Sequence, residues 1–270
     1  MLGQTYTPDE IRFATRHVVE KQGGQFILDK VKRIDPQTQH VYLATGDRLT
    51  YDVLSFNAGS YVPVPVTGDA SQDIFTVKPI ERLMQAQERL LDRMAQRSIT
   101  VGIVGGGPSA AEVAGNVWGL AQKQGLHPPV IQILAGQRFM SRFPAGVSRS
   151  VATSLTKRGV QIITSGYAER IDADQVTLAS GETYAFDFIF LALGVKPSPM
   201  FEVSGLPTGP DGGLRVNRFL QCTAYSNIFG GGDCIYYQDQ PLDKVGVYAV
   251  RQNPILLHNL KAQLAGEALK

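Results

Sequence analysis

Three observations in the sequence predict an α/β protein built on a parallel β-sheet. Apolar strands alternate with amphipathic helices between residues 80 and 194. The segment "SITVGIV" (98–104) is apolar enough for a strand that is buried on both faces. Glycines 105–107 follow it directly and lead into a helix predicted from about Pro108 to Gln124. Strands that alternate with helices form parallel sheets, because each crossover returns the chain to the same edge.

The first 60 residues predict a helix followed by antiparallel strands. In "TPDEIRFATRHVVEKQG", Thr7 and Glu10 form a capping box around Pro8, and we expect one helix that ends at Gly23. "QFILDKVKRID" and "QHVYLATG" predict strands joined by the turn "DPQTQ", and "GDRLTYDVLSFNAGS" predicts another strand. The proline-rich "YVPVPVTGD" that follows predicts a linker.

Helices and strands alternate through the rest of the chain. Apolar residues between Ile80 and Met94 recur at helical spacing and predict a helix before the first buried strand. After the glycines, "PPVIQILA" predicts a strand and "GVSRSVATSLTKRGVQII" a helix and a strand. "AERIDADQVTLASGETYAFDFIFLALG" predicts short strands that end in a strongly apolar one. A second proline-rich crossing, "VKPSPMF", precedes "NIFGGGDC" and a helix that begins near Val245.

Composition excludes several classes of protein. The chain has 270 residues, is 43% hydrophobic and carries a formal net charge of +2, which gives no argument for nucleic-acid binding. No apolar run approaches the roughly 20 residues of a membrane span, and the N-terminus does not resemble a signal peptide. Cys222 and Cys234 make no disulfide framework, and the four histidines have no metal-ligand spacing. We therefore expect a cytoplasmic protein without a metal site.

Gly105, Gly107 and Ala110 form the pattern Gly-x-Gly-x-x-Ala between a strand and a helix. Glycines let a pyrophosphate approach the backbone, and the helix N-terminus offers unpaired N–H groups to the anion. The pattern predicts a dinucleotide site, with Pro108 and Ser109 in the first helical turn. A glycine-rich loop without a ligand is the alternative.

The choice between NAD and NADP depends on the end of the next strand. A carboxylate there would bind the ribose 2′-hydroxyl, but "AGQR" (135–138) contains none. Arg138 could meet a 2′-phosphate or could be a solvated loop residue. The choice stays open, with Arg138 favouring NADP.

The motifs "GGGPSAAE", "FDFIFLALGVKPSP" and "NIFGGGDC", in this order, resemble the two-dinucleotide flavoproteins of the pyridine nucleotide–disulfide oxidoreductase type. The branch of type II NADH dehydrogenases and sulfide:quinone oxidoreductases is the most similar, and residues 216–266 look much like the flavoprotein half fused to selenide, water dikinase. The resemblance implies Rossmann-like three-layer domains, with an NAD(P)-binding domain (78–197) inserted into an FAD-binding domain (1–77 and 198–270).

The resemblance also implies roles for individual residues. At the NAD(P) site, Glu112 and Gly194 join the glycine turn. At the FAD site, Asp233 accepts hydrogen bonds from the ribityl chain. The remaining residues matched to the FAD site are Val31, Ala58, Gly59, Gly232, Val245 and Gly246. The last two begin a helix whose positive end faces the flavin pyrimidine. Asp233 could instead merely cap a turn.

The family's first glycine fingerprint, which holds the ADP half of FAD, does not occur in residues 1–60. We therefore expect a truncated FAD domain, in a fragment or a natural short form, and FAD affinity is in question. The resemblance implies an FAD-dependent NAD(P)H oxidoreductase that passes a hydride to the flavin and electrons to a small acceptor such as a quinone, with no catalytic side chain. A homodimer and peripheral contact with a membrane are left open.

Two alternatives to this function remain. One is a nucleotide-binding module without turnover, because the flavin domain lacks part of its phosphate site. The other is a sulfide:quinone-type oxidoreductase, which would need a reactive cysteine beside the flavin.

Overall fold

The computed structural model describes residues 1–63 and 72–270 and divides into two compact units. Unit 1 comprises Met1–Phe13 and Val62–Gly194, and unit 2 comprises Ala14–Tyr61 and Val195–Lys270. Along the sequence, the second segment of unit 1 therefore interrupts unit 2. The first 13 residues belong to unit 1, whereas we expected residues 1–77 to form one domain segment. Residues 64–69 of the predicted linker (61–69) lie outside the described residues.

The helices are short near the N-terminus and long around the glycine turn and at the C-terminus. In chain order, the described α-helices are α1 (Pro8–Ile11), α2 (Thr15–Lys21), α3 (Glu81–Gln96), α4 (Pro108–Gln124), α5 (Ala145–Thr156), α6 (Met200–Val203) and α7 (Gly246–Ala265), with a 3₁₀ turn at Gly232–Cys234. The predicted bounds of α4 are confirmed.

The strands are mostly three to five residues long. They are β1 (Val31–Asp35), β2 (His40–Leu43), β3 (Arg48–Thr50), β4 (Leu54–Phe56), β5 (Ser60–Tyr61), β6 (Ile74–Thr76), β7 (Thr100–Val104), β8 (Val130–Leu134), β9 (Gln161–Ile163), β10 (Ala168–Ile171), β11 (Gln175–Leu178), β12 (Thr183–Ala185), β13 (Phe188–Leu191), β14 (Lys196–Pro197), β15 (Leu214–Val216), β16 (Ile228–Gly230) and β17 (Ile235–Tyr237).

A five-stranded parallel sheet in the order β6-β13-β7-β8-β9 forms the centre of unit 1. The chain runs from β7 outward through β8 to β9 and then returns to β13 on the other side of β7. The strand order therefore reverses between β7 and β13, and ligands of open α/β sheets bind at the carboxyl ends of the strands at such a point. The predicted parallel α/β fold is confirmed.

Unit 1 has three layers. Residues of α3, α4 and α5, including Leu90, Val117 and Leu155, are buried in one cluster with the sheet residues Val101 and Ile133. A second cluster joins the sheet to the antiparallel strands β10–β11–β12, whose buried residues include Ile171, Val176 and Leu178. The sheet is thus covered on both sides, which explains why β13 is buried at every position.

Asp187 ties two neighbouring strands together just before β13 begins. Its carboxylate accepts hydrogen bonds from the Thr100 backbone N–H (2.8 Å) and hydroxyl (2.9 Å) and pairs with Arg97. The hydrogen bond from Arg97, with those from Thr100, lowers the pKa of Asp187 to about 2. This ionised group stabilises the pairing of β13 with β7.

The N-terminal residues depart from the predicted helix. The capping box between Thr7 and Glu10 is present, but the helix breaks at residues 12–14 into α1 and α2. Neither piece buries a residue, and a short helix without a packed face gains little stability from tertiary contacts. Ahead of α1, Leu2 is buried in the core of unit 1.

Unit 2 contains small sheets around its own core. β1, β2 and β3 form the predicted antiparallel sheet. The predicted strand within residues 46–60 is split, because β3 pairs with β2 whereas β4 pairs in parallel with β16. β15 pairs in parallel with β17, and the two connecting segments pair antiparallel as β5 and β14. Buried residues that include Ile34, Phe201 and Ile228 fill this core.

Candidate dinucleotide and flavin sites

The glycine turn after β7 is packed tightly against two other strand ends. Gly105 has φ +137°, and a Cβ added there would lie 2.2 Å from the carbonyl oxygen of Ala192. A Cβ at Gly106 would lie 2.5 Å from the carbonyl oxygen of Ala135. Because neither residue has a side chain, the turn can pack directly against the segments that follow β13 and β8. The sequence pattern predicted that Gly105 needs to be glycine, but it did not predict the same for Gly106, which is a variable position of the motif.

Gly107 differs from the two glycines before it. It has φ −93° and is the N-cap of α4, and among the described residues no atom lies within 4 Å of the position of an added Cβ. Its missing side chain is therefore not required by packing. The open space lies at the start of a 17-residue helix, where first-turn N–H groups and the helix dipole attract an anion. A pyrophosphate fits this arrangement.

The structure brings Gly194 to the same strand edge and leaves Glu112 and Arg138 exposed. Gly194 ends unit 1 three residues after β13, and Gly105 packs against Ala192 in the same segment. Pro108 and Ser109 form the first turn of α4 as predicted. Glu112 lies on the second turn, with its side chain exposed. Arg138 is exposed in the loop after β8.

Unit 2 contains a small pocket beside the turn that follows β16. Gly232, Asp233 and Gln252 line it. The Ser60 hydroxyl donates to Asp233 Oδ2 at 2.8 Å, and the Gly232 N–H donates to Gln252 Oε1 at 2.7 Å. The carboxylate is therefore held by a side chain 173 residues away in sequence. Ser60 was not among the site residues predicted from the sequence.

The N-terminus of α7 opens into the same pocket. Val245, its N-cap, lines the pocket and offers no side-chain cap, and Gly246 begins the helix. Lys244, also a lining residue, has a side chain only 13% exposed and pairs with Asp211 at 2.8 Å. It also donates to the Ile235 carbonyl. The positive helix end thus faces the pocket, while the charge of Lys244 is paired with Asp211. Lys244 was not among the site residues predicted from the sequence.

Two of the three other predicted flavin residues lie near this pocket. Ala58 and Gly59 directly precede Ser60, and their N–H groups approach the Cys234 thiol. Val31 instead starts β1, pairs with Leu43, and is not among the residues that line the pocket. The resemblance matched Val31 to a position near the adenine of FAD, and this assignment stays a prediction.

The two cysteines are free and buried. Burial raises the pKa of both the Cys222 and the Cys234 thiols. Cys234 donates to the carbonyl of Gly231 at 3.2 Å. Reactive cysteines are exposed thiolates with a lowered pKa, so neither thiol has the character needed for disulfide or sulfide chemistry.

Within the described residues, no group of three or more His, Cys, Asp or Glu side chains could hold a metal ion. Nor is any helix in this part of the chain both long and apolar enough to span a membrane.

A parallel sheet with an open glycine turn at the point where its strand order reverses defines a dinucleotide-binding α/β protein. The sequence supports a narrower assignment. The chain belongs to the pyridine nucleotide-disulphide oxidoreductase family, whose model matches residues 2–259. Proteins of this family use FAD and NAD(P)H.

Individual relatives are similar over most of this chain. Ferroptosis suppressor protein 1 of Taeniopygia guttata is 27% identical over 259 residues, which cover 92% of this chain and 66% of that protein. Demethylphylloquinone reductase NdbB of Synechocystis sp. is 26% identical over 264 residues, covering 93% of this chain and 65% of that protein. The chain therefore spans slightly less than two thirds of these curated relatives.

Solved structures agree with the fold. The reductase in the covalent putidaredoxin reductase–putidaredoxin complex matches with a TM-score of 0.81 at 20% identity, over 100% of this chain and 65% of that chain. The NAD-dependent persulfide reductase from A. fulgidus matches with a TM-score of 0.82 at 20% identity, over 100% of this chain and 52% of that chain.

Proposed function

We infer that this chain forms part of an FAD-dependent NAD(P)H oxidoreductase that passes electrons to a quinone. Unit 1 would bind the nicotinamide dinucleotide and unit 2 the flavin. The observation that carries the proposal is the open approach to Gly107. Packing does not require a glycine at this position. The position lies at the N-terminus of a long helix, where the strand order of the parallel sheet reverses, and this is where such sheets bind dinucleotides.

In unit 1, the residues bind and orient the dinucleotide. The first-turn N–H groups of α4 donate to the pyrophosphate, which reaches them because Gly107 has no side chain. Gly194 leaves a second open position at the same edge, since nothing among the described residues lies within 4 Å of an added Cβ there. The coenzyme can therefore cross the ends of β7 and β13 without a clash.

In unit 2, Asp233 and the start of α7 would hold the flavin. Asp233 accepts a hydrogen bond from Ser60, and a carboxylate can accept several hydrogen bonds, as the hydroxyl groups of a polyol would donate. The N-terminus of α7 favours negative charge at the pocket. When bound, FAD supplies the chemistry of accepting a hydride and releasing electrons. No side chain acts as an acid or base in this scheme.

A quinone is the acceptor we favour. NdbB, similar over 93% of this chain, is by name a demethylphylloquinone reductase. Tyr237 and Tyr248 line the unit 2 pocket and give it aromatic surface, which suits a flat ring. The buried, high-pKa thiols do not favour the sulfide:quinone alternative.

The test uses the purified chain supplied with FAD. We expect a bound-flavin spectrum that NADH or NADPH bleaches in the absence of oxygen and that a short-chain quinone restores. The Gly107→Ala variant should keep the flavin spectrum and lose bleaching at the same nucleotide concentration. A protein that binds nucleotide but never acquires flavin would instead support the binding module without turnover.

A further inference from the structure

The sequence around β8 of the unit 1 sheet carries only positive charge. Residues 113–168 contain no Asp or Glu. They contain six basic residues, Lys123, Arg138, Arg142, Arg149, Lys157 and Arg158. Although the whole chain has a net charge of only +2, this segment, which runs from α4 through β8 and α5 to β9, is strongly basic. A ligand with extra negative charge is favoured beside it.

The loop after β8 is held directly against the glycine turn. The Met140 N–H donates to the Gly106 carbonyl at 2.7 Å. Arg138 is two residues earlier in the same loop, exposed, and without an ion pair or hydrogen bond among the described residues. Its guanidinium therefore stays available for a ligand that starts at Gly107.

The end of β8 offers no carboxylate to a ribose 2′-hydroxyl. Leu134 and Ala135 are buried and apolar, and Gly136 has no side chain. In dinucleotide-binding sheets a carboxylate at this strand end binds the 2′-hydroxyl, whereas an arginine nearby accommodates a 2′-phosphate. Only the second arrangement is present here.

Tyr167 supplies a flat aromatic surface at the same strand edge. It follows β9, and a Cβ added to Gly136 would lie 2.5 Å from its ring. Gly136 and Gly166 form a β-bridge that fixes the two segments side by side. The Tyr167 side chain nevertheless remains 62% exposed. A large exposed ring held against a glycine is suited to stacking with a base.

We propose that unit 1 selects NADPH over NADH, with Arg138 bound to the adenosine 2′-phosphate and Tyr167 stacked on the adenine. This inference rests on the proposed function, because it requires the pyrophosphate to sit at Gly107. Other basic residues of the segment are engaged elsewhere: Lys123 donates to the Gln4 carbonyl, and Arg158 lies over the Trp118 ring.

The test measures binding of two adenosine phosphates by calorimetry, without flavin and without turnover. Adenosine 2′,5′-bisphosphate carries the diagnostic 2′-phosphate, and adenosine 5′-monophosphate differs from it only by lacking that group. We expect the wild-type chain to bind the 2′,5′-compound at least about tenfold more tightly. Arg138→Gln should bring the two affinities together by weakening only the 2′,5′-compound. Lys157→Gln, which removes the same charge at the opposite end of α5, should leave the ratio unchanged.

Tyr167 is tested in the same assay. Tyr167→Leu should weaken both compounds by a similar factor, roughly fivefold or more, and Tyr167→Phe should retain wild-type affinity for both. If the 5′-monophosphate binds as tightly as the 2′,5′-compound, or if Arg138→Gln weakens both equally, the assignment to NADPH is overturned while the nucleotide site stands. If neither compound binds, the nucleotide site of the proposed function itself is overturned.

Discussion

The two ends of the glycine turn should respond to the same substitution in opposite ways. In Gly105→Ala, the new Cβ would lie 2.2 Å from the Ala192 carbonyl oxygen on a backbone with φ +137°. Strain at such a φ costs about 2 kcal/mol, and the steric overlap costs about 2 kcal/mol more. In Gly107→Ala, the Cβ meets open space, and the change of N-cap residue costs less than about 1 kcal/mol.

The effect on ligand binding should be the reverse. The methyl group of Gly107→Ala would occupy the space through which a pyrophosphate reaches the first-turn N–H groups of α4. Losing one charge-assisted hydrogen bond costs about 1.5–3 kcal/mol, which raises the Kd for NADPH by roughly 10- to 100-fold. Gly105→Ala should therefore lose stability first, and Gly107→Ala should lose affinity alone.

Trp118 makes the comparison practical. It is the single tryptophan of the chain and lies in α4, so its fluorescence during urea denaturation reports on unit 1. Calorimetry with NADPH measures the affinity of the folded variants. Equal losses of stability in the two variants, or wild-type affinity in Gly107→Ala, would refute the distinction between a packing glycine and a ligand-approach glycine.

Three further predictions concern other groups. Asp187→Asn should lower the free energy of unfolding of unit 1 by about 2 kcal/mol at pH 7, reduced by the partial exposure of Arg97. Because the folded-state pKa of about 2 lies below the ordinary value of 3.8, this stability is present above pH 3.8 and is lost as pH falls towards 2, to roughly half at pH 3. Urea denaturation followed by Trp118 fluorescence checks this, and a loss that does not change between pH 7 and pH 3 would contradict it. Asp233→Asn should weaken FAD binding about tenfold or more, measured by flavin fluorescence titration, with the exposed Asp239→Asn as control; equal affinities would remove Asp233 from the flavin site. Cys222 and Cys234 should resist a thiol reagent at pH 7 and both react in denaturant, because burial raises their pKa values; rapid labelling of the native protein would contradict this.

Much of unit 1 could be predicted from sequence because its signals are local. The bounds of α4 follow from Gly107 before it, Pro108 at its first position and Gly125 in a left-handed conformation after it. The alternation of apolar strands with helices was enough to predict the parallel sheet. The assignment of the dinucleotide to unit 1 and of the flavin to unit 2 stays a prediction.

The errors occurred where local signals compete with packing. A sound capping box at Thr7 predicted one long helix, but the chain passes from unit 1 to unit 2 at Phe13–Ala14 and the helix breaks there. The strand predicted within residues 46–60 is split because its halves pair with different partners, β2 and β16. Neither partner can be identified from the segment itself.

The sequence by itself determined the fold class, the glycine turn and the family, since these depend on residue types at short spacings. Only the tertiary structure decided that Gly105 and Gly106 serve packing whereas Gly107 is open. It alone also paired Ser60 with Asp233 and held the loop of Arg138 against the turn. Contacts of this kind join residues far apart in the chain, so their distances are set by how the strands and helices pack.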